Sequence, residues 1–179
     1  RQTVRPEQNL PVRIEAFRAQ DLAESVRTAF HSMAQARGMS IELRMGAGAA
    51  ALRCTDRVRL NQTLSNLVKN AIVHSQATEI VIRYEEASDL VGHWTVSDNG
   101  RNIPLVGRET IFHPFVRGDN SGARADGSGL GLYIAKEAIQ LLGGRIDYGE
   151  NPLCGAEFDI ALPLTLQPDG RDRAVGADL

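Results

Sequence analysis

The most informative segment of this sequence is residues 66–71, which read Asn-Leu-Val-Lys-Asn-Ala. They fall within a predicted long helix, whose apolar positions include Leu60 and Leu64. Asn66 and Asn70 are four residues apart, so their side chains lie on one helix face. Asparagine is a mediocre helix former, and the pair is either a solvated polar stripe or a source of amide oxygens. Such oxygens are hard ligands suited to Mg²⁺.

The segments on both sides of this helix predict a mixture of helices and strands. Thr55 and Asp56 are N-cap residues that begin the long helix. An earlier helix carries one apolar stripe and ends near Gly38, and a later helix at 130–142 stops at residues 143–144. The residues of the early stripe are Leu22, Val26, Phe30 and Met33. Alternating or β-branched runs predict strands at 12–17, 41–45, 51–54, 80–84, 94–96, 145–148 and 156–162.

This order of elements predicts an α+β fold. About three helices would cover one face of a mixed, mostly antiparallel sheet, which gives a two-layer α/β sandwich. The chain has 179 residues, a length that suits one domain. The hydrophobic fraction of 42% and the charged fraction of 23% argue against disorder.

The charge balance excludes some classes of partner. Net charge is −2 and both signs are distributed along the chain, so we expect neither a nucleic-acid partner nor an anionic membrane surface. No apolar run approaches the ~20 residues of a membrane span. The sequence starts at Arg1, and we expect it to be a fragment of a longer protein.

A second motif, Asp98-Asn99-Gly100, directly follows a predicted strand. It is a strong turn signal, and a hairpin or an Asx turn would explain it. Alternatively, the Asp98 carboxylate lies at the mouth of a pocket and accepts a hydrogen bond from an exocyclic amine, such as that of adenine. A buried carboxylate needs hydrogen bonds to persist, and the contact would therefore be selective.

A third motif, at residues 127–132, reads Gly-Ser-Gly-Leu-Gly-Leu and runs into the last predicted helix. Glycines let the backbone approach an anion, and the start of a helix offers free N–H groups and a positive dipole end. A plain loop is the alternative. The motif follows a long polar connection and not a strand, which argues against a dinucleotide-binding fold, and the P-loop pattern is absent.

Taken in order, these motifs resemble the catalytic domain of histidine kinases, a member of the Bergerat-fold ATPases. Residues 66–71 are similar to the N box, and 98–104 to the first glycine box. Residues 112–115 (Phe-His-Pro-Phe) are similar to the F box, and 127–132 to the second glycine box. The resemblance covers roughly residues 22–163. It implies a linker at 1–11, an ATP-binding catalytic domain at 12–165 and a polar tail at 166–179.

The resemblance also implies roles for individual residues. Asn70 would hold Mg²⁺, Asp98 would bind adenine, and residues 117–128 would form a mobile lid over the phosphates of ATP. Arg117 and Arg124 are candidates to meet the γ-phosphate, with solvated loop charges as the alternative. The implied ATP-binding residues are Asn66, Asn70, His74, Asp98, Gly100, Asn102, Ile103, Phe115, Arg117, Arg124, Gly127, Ser128, Gly129, Leu130, Gly131 and Leu132.

Three positions depart from the family pattern. Asn102 replaces the second glycine of the first glycine box, and its side chain would narrow the adenine end of the pocket. If that position needs a positive φ, asparagine is the least costly substitute. Val73 stands where many relatives carry a basic phosphate contact, and His74 and Lys69 are the candidates to compensate for its absence. Asp126 would repel phosphate unless it points away.

The resulting expectation is phosphoryl transfer from Mg²⁺-ATP to a histidine on a separate dimerisation domain, with a response regulator downstream. None of the four histidines is followed by the family's acceptor pattern. In gyrase-like relatives a glutamate near the position of Asn66 activates water, and an amide cannot act as that base. A degenerate regulatory domain and a serine kinase of the anti-sigma-factor type remain as alternatives. We expect the isolated chain to be a cytoplasmic monomer, from a parent that could be membrane-anchored.

Overall fold

The computed structural model describes residues 11–87, 91–114, 130–151 and 155–164. Its helices and strands follow the predicted order along the chain. The helices are Ala19–Gln35 (α1), Arg57–His74 (α2) and Gly131–Leu141 (α3). The strands are Glu15–Arg18 (β1), Ser40–Met45 (β2), Leu52–Thr55 (β3), Glu79–Glu86 (β4), Val91–Asp98 (β5), Arg145–Asn151 (β6) and Gly155–Pro163 (β7).

The main sheet has five strands in the order β2-β4-β5-β7-β6. β2 pairs with β4 in parallel, and the other three pairs are antiparallel. A separate antiparallel pair joins β1 to β3. The sheet is therefore mixed and mostly antiparallel, as predicted.

The hydrophobic core lies between one face of this sheet and the helices. Alternate residues of the central strands point into it, among them Ile80, Ile82, Trp94 and Phe158, all buried. Their sequence neighbours on the other face are mostly polar, and Arg83, for example, is exposed. This alternation confirms the two-layer α+β sandwich.

The ends of the elements show where local patterns were right and where they were not. Asp56 caps α2 by accepting a hydrogen bond from the N–H of Arg59 at 3.0 Å, as predicted. The first strand begins at Glu15 and not at residue 12. Met33, the last residue of the predicted apolar stripe of α1, does not face the core, because it is 42% exposed. Met39, whose N–H donates to the carbonyl of Ala34, is buried at that end of α1 instead.

Candidate functional site

Helix α2 presents the two asparagines of the first motif. A stripe of buried apolar residues turns one side of the helix to the core, which leaves Asn66 and Asn70 half-buried on another side. The Nδ2 of Asn66 donates to the carbonyl oxygen of Gly131 at 3.4 Å, across 65 positions of sequence. Asn66 is therefore not simply part of a solvated stripe, because it faces the start of α3.

The start of α3 holds the described part of the third motif. Leu130, at the N-cap position, makes no capping side-chain hydrogen bond, and no acidic residue lies in the first turn. Within the described residues, the first N–H groups of α3 thus have no side-chain acceptor. Such a helix start is suited to bind an anion.

Asp98 lies at the end of β5, where its side chain is only 6% exposed. Its Oδ1 accepts a hydrogen bond from the N–H of Gly100 at 2.8 Å, so the Asx turn proposed as an alternative is present. Burial raises the pKa of Asp98, and hydrogen bonds from the N–H groups of Gly100 and Ala156 oppose that rise. A carboxylate has about four acceptor sites.

Two glycines let other backbone segments approach Asp98 closely. A Cβ at Gly100 would lie 2.1 Å from the carbonyl oxygen of Ser75, which follows α2. A Cβ at Gly155, the first residue of β7, would lie 1.6 Å from the carbonyl oxygen of Asp98. Both distances are far below a van der Waals contact, so these positions need glycine for space. The end of β5 is consequently held against the end of α2 and the start of β7.

Helix α2 thus contacts two segments that are distant from it in sequence: the start of α3 through Asn66, and the turn that follows the buried Asp98 through Ser75. Residues 55–166, more than half of the chain, match the model of the histidine kinase-, DNA gyrase B-, and HSP90-like ATPases. The chain belongs to this ATPase family.

Other members of the family, and solved structures of similar fold, are sensor kinases. The alginate biosynthesis sensor protein KinB of Pseudomonas aeruginosa is 36% identical over 145 residues, which are 80% of this chain and 24% of KinB. The chain thus spans about a quarter of that relative. The catalytic domain of histidine kinase ThkA matches with a TM-score of 0.74 and 26% identity, covering 89% of this chain and 99% of that domain. Full-length ShkA, described as a complex with AMPPNP, has the same fold, with a TM-score of 0.76, 24% identity, and coverage of 89% of this chain and 33% of ShkA.

Several of the predicted site residues of this ATPase-family chain lie outside the described residues. They are Phe115, Arg117, Arg124, Gly127, Ser128 and Gly129. The same holds for Asp126, one of the departures from the family pattern. The roles of these residues stay predictions.

The backbone at Asn102 does not adopt the positive φ that would favour glycine at this position. Among the described non-glycine residues only Gln76 has a positive φ, and Asn102 is exposed. The backbone therefore does not require glycine at position 102. Whether its side chain narrows the pocket stays a prediction.

His74 lies in the last turn of α2, and its role as a substitute for a basic phosphate contact stays a prediction. Desolvation, followed by the charge of Arg37, lowers the pKa of His74. The lowered pKa disfavours the imidazolium, which is the form that would bring a positive charge to a phosphate. Lys69 is exposed one residue before Asn70.

Asn99 is a residue whose importance sequence reasoning missed. Its Oδ1 accepts hydrogen bonds from the N–H groups of Thr78 and Glu79, at 2.9 and 3.0 Å, and its Nδ2 donates to Thr78 Oγ1 at 2.9 Å. These bonds fix the end of β5 to the start of β4. The middle residue of an Asp-Asn-Gly turn signal gave no indication of a contact with residues about 20 positions away.

The described residues contain neither a cluster of typical metal ligands nor a helix suited to span a membrane. No group of three or more His, Cys, Asp or Glu side chains in the described ranges could hold a metal ion. A divalent cation at this site would depend on an amide oxygen such as that of Asn70 together with phosphate oxygens, a combination that suits Mg²⁺. No helix in the part of the chain that the structure describes is long and apolar enough to cross a membrane.

Proposed function

We propose that this chain is the ATP-binding catalytic domain of a two-component sensor histidine kinase. It would transfer the γ-phosphoryl group of Mg²⁺-ATP to a histidine on a separate dimerisation domain of the same parent protein. The observation that carries this proposal is that helix α2 meets the start of α3 through Asn66 and Gly131, and meets the turn after the buried Asp98 through Ser75 and Gly100. Membership of the ATPase family and the sensor-kinase relatives support it.

The residues divide into a base end and a phosphate end. Asp98 accepts a hydrogen bond from the exocyclic amine of adenine. Gly100, which has no Cβ, lets the turn after Asp98 approach the backbone of Ser75. Residues 127–132 and the start of α3 bind phosphate oxygens through backbone N–H groups. Asn70 holds Mg²⁺, which supplies charge neutralisation on the phosphates when bound. Such positioning is most of what phosphoryl transfer requires.

Asn66 favours a kinase over a hydrolase. Its amide cannot take a proton from water, so attack by water on the γ-phosphate lacks a general base at this position. The half-buried amide is moreover directed to the backbone of Gly131. We therefore expect ATP hydrolysis to be slow, and the acceptor to be a side chain of a partner domain.

The proposed partners follow from this reaction. They are the dimerisation domain that carries the phosphoacceptor histidine and a downstream response regulator. KinB and ShkA, of which this chain spans 24% and 33%, have room for such further domains. We propose a cytoplasmic location, where ATP is available.

A nucleotide titration followed by a phosphotransfer assay tests the proposal. We expect the chain to bind ATP in calorimetry, more tightly with Mg²⁺ than without, and to phosphorylate an added histidine-containing dimerisation domain. The product should be labile in acid and stable in base, as phosphohistidine is. An acid-stable product would favour the serine kinase, and absence of nucleotide binding would favour the degenerate regulatory domain.

Replacement of Asn102 by glycine probes the departure in the first glycine box. We expect Asn102→Gly to tighten ATP binding by about tenfold, equal to ~1.4 kcal/mol, because it removes a side chain that would crowd the adenine end of the pocket. Fold stability should not rise, because glycine adds backbone entropy to the unfolded chain. Calorimetry and thermal melting of both proteins measure the two effects. Unchanged or weaker binding would mean that Asn102 is neutral or contacts the nucleotide.

A further inference from the structure

The segment 101–104 follows the Asp98 turn and forms neither helix nor strand. Two attachments of its backbone to residues distant in sequence flank Asn102. The N–H of Arg101 donates to the carbonyl of Ser75 at 2.7 Å, and Ile103 makes the second attachment. Asn102 lies between these attachments and is exposed. The first attachment therefore constrains the chain before Asn102, and the second constrains it after Asn102.

Both backbone polar groups of Ile103 bind side chains. Its N–H donates to the hydroxyl of Tyr148 at 3.0 Å, across 45 positions of sequence. Its carbonyl accepts from the Nε of Arg108 at 2.9 Å. The Arg108 guanidinium in turn lies over the Tyr148 ring, 5.4 Å from its centroid. Tyr148 and Arg108 together form what we call the Ile103 clasp.

The clasp rests on a rigid support. Tyr148 lies on β6 directly opposite Phe158 on β7, with ring centroids 5.4 Å apart. Phe158 contacts Phe112 edge-on at 6.2 Å. Aromatic pairs of this kind are stabilising beyond the area they bury. The Tyr148 hydroxyl that binds Ile103 is thus carried by a ring packed on the sheet.

We propose that Tyr148 and Arg108 are positioning residues of the nucleotide site, which fix residues 101–104 along its base end and so raise affinity for the nucleoside part of ATP. The inference rests on the proposed function, because it assigns the base end to Asp98 and its neighbours. The physical reason is pre-organisation. A loop already held in the bound path loses less conformational entropy when the nucleotide binds. Without the hydroxyl, the half-buried N–H of Ile103 loses its acceptor and the loop gains alternative paths.

The variant Tyr148→Phe tests this with the smallest possible change. It keeps the ring and its contacts with Phe158 and Arg108, and removes only the hydroxyl. We expect the dissociation constants of ATP and ADP to rise by the same factor, about fivefold, the scale of one intramolecular hydrogen bond. Amide hydrogen exchange at Ile103, measured by NMR without nucleotide, should accelerate. Arg108→Ala should act in the same direction, with a non-additive double mutant because both act on one residue.

Tyr84→Phe is the matched control. The Tyr84 hydroxyl donates to Glu86 at 2.9 Å on β4, so this variant also removes one tyrosine hydrogen bond, but far along the sheet from Ile103. It should leave nucleotide affinity unchanged, even if its melting temperature falls as much as that of Tyr148→Phe. Equal weakening in both variants would reduce the effect to general destabilisation and overturn the positioning role. So would unchanged affinity of Tyr148→Phe when the unmutated chain binds ATP. An unmutated chain that binds neither ATP nor ADP would instead refute the proposed function itself.

Discussion

Asp98→Asn should abolish the preference of this domain for ATP over GTP and weaken ATP binding by about 1–3 kcal/mol, the scale for leaving a buried polar group unmatched. The amide presents one acceptor oxygen and adds a donor that competes with the adenine amine. Asp98 is buried and already accepts N–H groups of Gly100 and Ala156, so an amide also has fewer acceptor sites to share. Calorimetric titrations with ATP and GTP measure both effects.

The raised pKa of Asp98 adds a pH dependence to this expectation. The ionised carboxylate of Asp98 offers only hydrogen-bond acceptors to the adenine amine, whereas the protonated carboxyl group carries an O–H donor. ATP affinity should therefore fall as the pH is lowered through the pKa of Asp98, starting at a higher pH than for an aspartate of ordinary pKa 3.8. In Asp98→Asn this component of the pH dependence should vanish.

Asp159→Asn is a suitable control for Asp98→Asn. Asp159 is an exposed aspartate of β7 and accepts from Thr95 Oγ1 on the face of the sheet away from the helices. The same chemical change there should leave both nucleotide affinities unaltered. Equal affinity of the unmutated chain for ATP and GTP would already contradict the role given to Asp98.

Asp56→Ala should lower the free energy of unfolding by about 3 kcal/mol. Asp56 is 1% exposed and its side chain caps α2, and cap removal alone costs about 1 kcal/mol. Asp56 also accepts from the N–H of Arg13 at 3.0 Å and pairs with the guanidinium of Arg59, a largely buried ion pair. Breaking such a pair from one side is strongly destabilising. Urea denaturation at pH 7 measures the difference.

The effect of Asp56 on stability should depend on pH with a definite sign. Burial acts to raise the pKa of Asp56, but hydrogen bonds from Arg13 and Arg59 lower it below the ordinary 3.8. A lowered carboxyl pKa contributes stability above the unfolded-state pKa, and this contribution is lost as pH falls through the folded-state pKa. The gap between the unmutated protein and Asp56→Ala should therefore narrow below about pH 4.

Asp21→Ala provides the comparison for Asp56→Ala. Asp21 is an exposed aspartate in the first turn of α1. Its loss should change stability by at most about 1 kcal/mol, the scale of an exposed charge acting on a helix dipole. If Asp56→Ala destabilises no more than Asp21→Ala, the buried contacts of Asp56 do not contribute as described.

Local sequence patterns predicted the elements well because strand and helix periods are properties of neighbouring residues. The alternation at 80–84 and the cap at Asp56 both reappear in the structure. The family motifs predicted that Asn66, Asp98 and Gly131 belong to one site, and the structure brings Asn66 into contact with Gly131. The contacts of Asn99 with Thr78 and of Tyr148 with Ile103 were not predictable, because they join positions 21 and 45 residues apart. The period of a helix or strand does not predict contacts at such separations. Neither Asn99 nor Tyr148 belongs to a sequence motif that indicates its contact partner.

The two close backbone approaches at Gly100 and Gly155 limit how this site could be redesigned. Any side chain at either position meets a main-chain carbonyl, and main chain cannot rotate aside as a flexible side chain can. In directed evolution of nucleotide preference, we therefore expect these two positions to tolerate no residue other than glycine. Asn102, whose side chain is exposed, remains open to variation. Libraries for a new base specificity should therefore vary position 102 and keep Gly100 and Gly155 unchanged.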